Sequence, residues 1–114
     1  MVIERGQIWW ADLPEPRGSS PGYEHPIVVT QANFLNRTSI NTIVGAVITS
    51  NLDLAEMPGN VLIQQKHSGL LKDSVVNVTQ IITIDKSQLF EFVGILPDRK
   101  MEQIDEGLRL VLSL

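Results

Sequence analysis

Two short stretches carry residues with usable chemistry. In GYEHPIVVTQ (22–31) a histidine, His25, stands directly before Pro26 at the mouth of an apolar run, and in TIVGAVITS (42–50) another apolar run ends on two hydroxyls, Thr49 and Ser50. Pro26 steers the residue before it away from helical backbone and towards an extended one. At a loop–strand junction that turns His25 outward, into a groove or into water. Neutral imidazole accepts a proton and imidazolium returns one, so His25 has the equipment of a general acid–base. By position alone it also reads as a surface-loop histidine, the commoner case. Thr49 and Ser50 can donate to a phosphate oxygen, or, more commonly for strand-end hydroxyls, bond to backbone and open the next turn. Trp9, Trp10 and Tyr23 offer faces on which bases can stack. At least one of two adjacent tryptophans on a strand must face the core; the reading here is Trp10 in the core and Trp9 open. Lys66, His67 and Lys72 form a loose basic group in QKHSGLLKD, read as a solvated hairpin.

Several chemistries are excluded. His25 and His67 are the only histidines, there is no cysteine, and Asp53, Asp73 and Asp85 stand singly, so no metal ligand set is spaced for binding. No cofactor is implied: there is no phosphate-cradling glycine loop and no serine-hydrolase elbow. Absence of cysteine rules out a disulfide framework and fits a reducing, cytoplasmic setting. The net charge of −4 counts against broad, non-specific nucleic-acid binding while leaving room for a local cationic groove. No apolar run approaches the roughly 20 residues that span a bilayer, and the N-terminus MVIERGQIWW lacks the pattern of a signal peptide, so no membrane partner is expected.

The elements that must position these groups follow from patterning. The 114 residues, 43% apolar and 19% charged, suit one folded domain over 1–114. QIWWADL (7–13) is a strand, with Ile8 and Trp10 on one face and Trp9 on the other. PEPRGSSPGYEHP (14–26) is dense in Pro, Gly and Ser and reads as a long loop of the kind that is often functional. IVVT (27–30) is a buried strand, QANFLNRTSIN (31–41) a connection, and 42–50 a strand with Gly45 at a bulge or a close-packing point. A short helical turn over 52–59 precedes strands at 60–65, 74–84 and 89–96, the second long enough to bend. In the tail 97–114, Met101, Ile104, Leu108 and Val111 share a face at helical spacing, and Pro97 and Asp98 suit a helix start. Five or six strands and one amphipathic helix point to a small, curved, mostly antiparallel β-barrel or half-barrel.

The segments RGQIWWADL, GSSPGYEHPIVVTQ, VITSN, PGNVLI and GLLKDSVVNVTQIITIDK, with LRLVL near the end, resemble in order and spacing the MazF/PemK toxin endoribonucleases, from Arg5 to Leu114. That resemblance implies a mainly β fold, an SH3-like barrel of the CcdB/PemK type with short helices and a C-terminal α-helix. It implies a homodimer that cuts single-stranded messenger RNA within short motifs, without a metal, by attack of a ribose 2′-hydroxyl that leaves a 2′,3′-cyclic phosphate. It implies neutralisation by a MazE-like antitoxin whose tail occupies the RNA groove. The family's strand-end hydroxyl falls on Thr49, with Ser50 adjacent, and its arginine before proline falls on His25. The sequence departs there, because the family reads Arg-Pro and this chain reads His-Pro. It departs again at Ser20, where the common GSE reads GSS. Arginine serves as a permanent charge and fork donor, whereas histidine exchanges protons but offers fewer donors. His25 therefore supports either an imidazole-type cleavage or a feeble nuclease, since losing one preorganised donor typically costs about 10²–10³ in rate. Arg17 in the long loop and Arg37 after the first buried strand are candidates to compensate, and Tyr23 to cover the bases. The alternatives are an antitoxin-binding homologue without useful catalysis and, by fold analogy, a topoisomerase poison like the CcdB toxins; against the latter, no tryptophan follows Trp10.

Overall fold

The computed structural model describes residues 2–14, 18 and 23–114. Six strands, β1 (Gln7–Leu13), β2 (Tyr23–Val29), β3 (Thr42–Thr49), β4 (Val61–Ile63), β5 (Ser74–Asp85) and β6 (Leu89–Ile95), form one antiparallel sheet in the order β4-β5-β3-β2-β1-β6. Short helices α1 (Asn33–Asn36) and α2 (Gln65–Ser68) lie in the connections, and α3 (Asp98–Leu112) ends the chain.

Alternation along the strands divides the core in two. Ile8, Val28, Ala46 and Ile48 join Ile63, Val76, Val78 and the helix residues Met101 and Ile104 in one cluster. Trp9, Ile27, Val29, Val47 and Leu89 join Ile3, Ile43 and Ile84 in the other. β5 serves both clusters because it bends: its register against β3 shifts between the pairs Ala46–Ile81 and Val47–Asn77. The curl brings the two ends of the sheet together. Gly69, left-handed at φ 82°, ends α2 just beyond β4, and a Cβ there would lie 2.8 Å from the Val93 carbonyl oxygen on β6. Only glycine meets both the conformation and the close approach.

α3 runs over the expected span, and Met101, Ile104 and the partly buried Leu108 pack as the periodicity predicts, while Val111 is 37% exposed near the end of the helix. Gly107 has its reason in packing: an added Cβ would stand 2.1 Å from the Gly59 carbonyl oxygen. Gly45 is a close-packing point, its would-be Cβ 2.8 Å from Val28 O, and the bulge falls one residue later. Arg5 ties the two ends of the chain together, bonding Thr30 O through Nε at 3.0 Å and pairing with Asp105 of α3.

Three expectations are corrected. Residues 23–26 are the start of β2, not loop, paired with β1 through Leu13–Tyr23, Asp12–Glu24, Ala11–His25 and Trp10–Pro26. The tryptophans exchange places. Trp9 is buried, stacked edge-on against Phe92 at 5.5 Å with its Nε1 donating to Gln7 Oε1, whereas Trp10 is half-buried at a cavity. The stretch 66–72 is not a hairpin but the α2 turn followed by a loop that walls that cavity.

Candidate active site

A cavity of about 610 Å³ opens where β2 begins, β3 ends and β5 begins. His25, Thr49 and Ser50 line it, together with Trp10, Lys72 and Glu91. The β2–β3 ladder pairs Val29 with Gly45, Val28 with Ala46 and Ile27 with Val47; carried two rungs past its last pair, that register would set Pro26 opposite Ile48 and His25 opposite Thr49. Residues facing each other across an antiparallel pair share a face, with Cβ atoms about 5 Å apart. His25 and Thr49 both line the cavity at these neighbouring strand ends.

The proline gives His25 a second anchor. Thr30 N–H donates to Val44 O at 3.1 Å, which makes that pair a hydrogen-bonded one. Bonded pairs alternate along the ladder, so Pro26 and Ile48 also occupy a bonded position. Proline has no N–H to give, and the Ile48 carbonyl is left without its ladder donor. His25 Nδ1 lies 3.4 Å from that oxygen, a long contact. A carbonyl only accepts, so the contact favours the tautomer protonated at Nδ1 and leaves the lone pair on Nε2. Thr49 is oriented as well. Its Oγ1 accepts from Asn51 N–H at 3.2 Å, which leaves the hydroxyl hydrogen free to donate. The turn-forming role and the donor role thus coexist in one side chain.

An imidazole and a hydroxyl donor lining one cavity suit transfer at a phosphodiester. A family model for PemK-like, MazF-like toxins of type II toxin–antitoxin systems matches residues 4–112. The chain belongs to that family. It is 47% identical over 114 residues to endoribonuclease MazF6 of Mycobacterium tuberculosis, covering the whole of both chains. To endoribonuclease EndoA of Bacillus subtilis it is 39% identical over 114 residues, all of this chain and 97% of that protein. Among solved structures, MazF (form I) of Deinococcus radiodurans superposes with a TM-score of 0.82 at 18% identity, over 100% of this chain and 99% of that one. A mycobacterial endoribonuclease in complex with its cognate antitoxin does so with a TM-score of 0.74 at 25% identity, over 99% and 95%.

In this MazF-like toxin the site residues divide by place. His25, Thr49 and Ser50 converge on the cavity. Tyr23, 64% exposed and left-handed at φ 56°, stands two residues from His25 at the start of β2. Arg37 is exposed just after α1, at the opposite end of β3 from Thr49. Arg17 and Ser20 lie outside the described residues. Among the described residues, no group of three or more His, Cys, Asp or Glu is gathered to hold a metal ion. Trp10, Glu24, Lys72 and Glu91 are among the cavity residues that sequence reasoning left out of the site. For Lys72 a signal existed, because Asp73 and Ser74 beside it are turn formers directly before a β-branched run.

Proposed function

We propose that this toxin is a metal-independent endoribonuclease that cuts single-stranded RNA at short sequence motifs, with His25 and Thr49 at the scissile phosphate. The observation that carries the reading is that His25 of β2 and Thr49 of the neighbouring β3 line one cavity. His25 Nε2 takes the proton of the ribose 2′-hydroxyl, the 2′-oxygen bonds to phosphorus, and the P–O5′ bond breaks. The departing 5′-oxygen takes its proton from solvent. Thr49 Oγ1 donates to a non-bridging oxygen as charge gathers there. The products are a 2′,3′-cyclic phosphate and a 5′-hydroxyl end. Family membership supports a homodimer and an antitoxin partner, and the solved complex of a related endoribonuclease with its cognate antitoxin supports the partner; in this reading the antitoxin's tail enters the same cavity.

Purified protein in EDTA with a long single-stranded RNA tests this by end-mapping. Fragments with 5′-hydroxyl ends are expected. No fragments, or 5′-phosphate ends, would contradict it. One observation favours a second reading: among the described residues lining the cavity there is no arginine. An antitoxin-binding homologue without cleavage would bind the tail stoichiometrically and leave RNA intact over long incubation.

A further inference from the structure

The cavity's charge balance runs against its proposed substrate. Glu24 and Glu91 line it, and Lys72 is the only lysine or arginine among the described lining residues. Among the described lining residues an RNA phosphate entering there meets two carboxylates and a single fixed cation. Lys72 is held in place by its backbone. Ser74 Oγ donates to Lys72 O at 3.0 Å, and Asp73 Oδ1 accepts the Gln65 N–H at 2.8 Å, tying the loop to α2. Leu70 N–H bonds Ser68 Oγ at 3.0 Å on the other side of the turn. Among the described residues the Lys72 ammonium is in no ion pair. The loop enters β5 beside the end of β3, since Thr49 pairs with Val75. Three neighbouring strand ends therefore present His25, Thr49 and the Lys72 loop in that order, and neighbouring strands are about 4.8 Å apart.

We propose that Lys72 is a phosphate-binding residue of this cavity, its ammonium holding an RNA backbone phosphate beside His25 and Thr49. Asp73 and Ser74 act as its positioning residues. The proposal rests on the nuclease reading above for its ligand, but it is read by binding rather than by cutting. The probe is a single-stranded oligoribonucleotide fully 2′-O-methylated, which lacks the attacking hydroxyl. Its affinity is followed by fluorescence anisotropy from 50 to 300 mM salt. Each phosphate contact on a single strand contributes about −0.7 to the slope of log K against log salt. Lys72→Ala is expected to weaken binding about tenfold at low salt and to make the slope shallower by about 0.7. Lys72→Arg should keep the slope, and Lys66→Ala, an exposed α2 lysine that does not line the cavity, should leave it unchanged. An unchanged slope in Lys72→Ala, or no binding by the wild type, overturns the proposal. A Lys72-dependent slope in a protein that cuts no RNA would uphold it while removing the nuclease reading. Cutting with a Lys72-independent slope would do the reverse.

Discussion

The His25 ring stands 3.4 Å from the Ile48 carbonyl oxygen, at the one rung where β2 offers Pro26 and so has no N–H to give. A residue that restricts the backbone before it thus also creates the acceptor that orients the imidazole. The dipeptide HP works as a unit: proline sets the extended backbone of His25 and withholds the competing donor.

His25→Ala should lower the RNA cleavage rate at least tenfold, since a positioned general base is worth about 10²–10⁴. Initial rates on a fluorescent single-stranded substrate measure this. Full activity in the variant would remove His25 from the mechanism.

Thr49→Val keeps the β-branched shape and deletes the hydroxyl. A rate loss of about 10² is expected, whereas Thr49→Ser, which retains the acceptor for Asn51 N–H and the free donor, should stay within about tenfold of wild type. Equal losses in both variants would point to packing by the methyl group instead.

Pro26→Ala returns an N–H to the rung opposite Ile48 and supplies that carbonyl with its ladder donor. The His25 ring then loses its claim on the oxygen. Slower cleavage is expected with thermal stability kept or raised, because one backbone hydrogen bond is gained, worth about 1 kcal/mol. Parallel melting curves and initial rates check it, and an unchanged rate would show that the Ile48 contact does not orient the ring.

Gly107→Ala sets helix propensity against packing. Alanine favours a helix interior by about 1 kcal/mol over glycine, but its Cβ would fall 2.1 Å from Gly59 O, a backbone atom that must move. Over-packing of this kind costs about 1–3 kcal/mol, so a lower urea midpoint is expected; a higher one would mean that the 59 turn yields freely.

Asp85 gives a pH signature. Its carboxylate accepts the Ser87 N–H at 2.9 Å in a capping box with Gln88, and that bond holds it below the ordinary carboxylate range. A lowered folded pKa adds stability above the unfolded value of 3.8 that is lost as pH falls through the folded one. Asp85→Asn should therefore show a smaller drop in Tm than wild type between pH 7 and about pH 3. A parallel drop would assign acid sensitivity elsewhere.

Much of the frame was legible from periodicity. Met101, Ile104 and Leu108 mark the buried face of α3 because the 3.6-residue repeat is local, and the β-branched runs of β3 and β5 mark strands for the same reason. Legibility ended where a neighbour decided the outcome. Tyr23 to Pro26 carry turn residues, yet pairing with β1 makes them strand. Both faces of β1 carry core, so alternation alone could not say which tryptophan is buried and which reaches the cavity. Thr49 and His25 were individually visible. Their meeting at one cavity depends on β2 and β3 being neighbours in the sheet, and the arrival of the Lys72 loop there on the β3–β5 register, which sets Val75 against Thr49.

The central claim is that His25 and Thr49 act on one phosphodiester. A double-mutant cycle on single-turnover RNA cleavage by wild type, His25→Ala, Thr49→Val and the double variant tests it most directly. Groups that serve one transition state are non-additive, so the double variant should cut about as slowly as the slower single. Losses that multiply in the double variant, or a single variant that cuts at the wild-type rate, would contradict it.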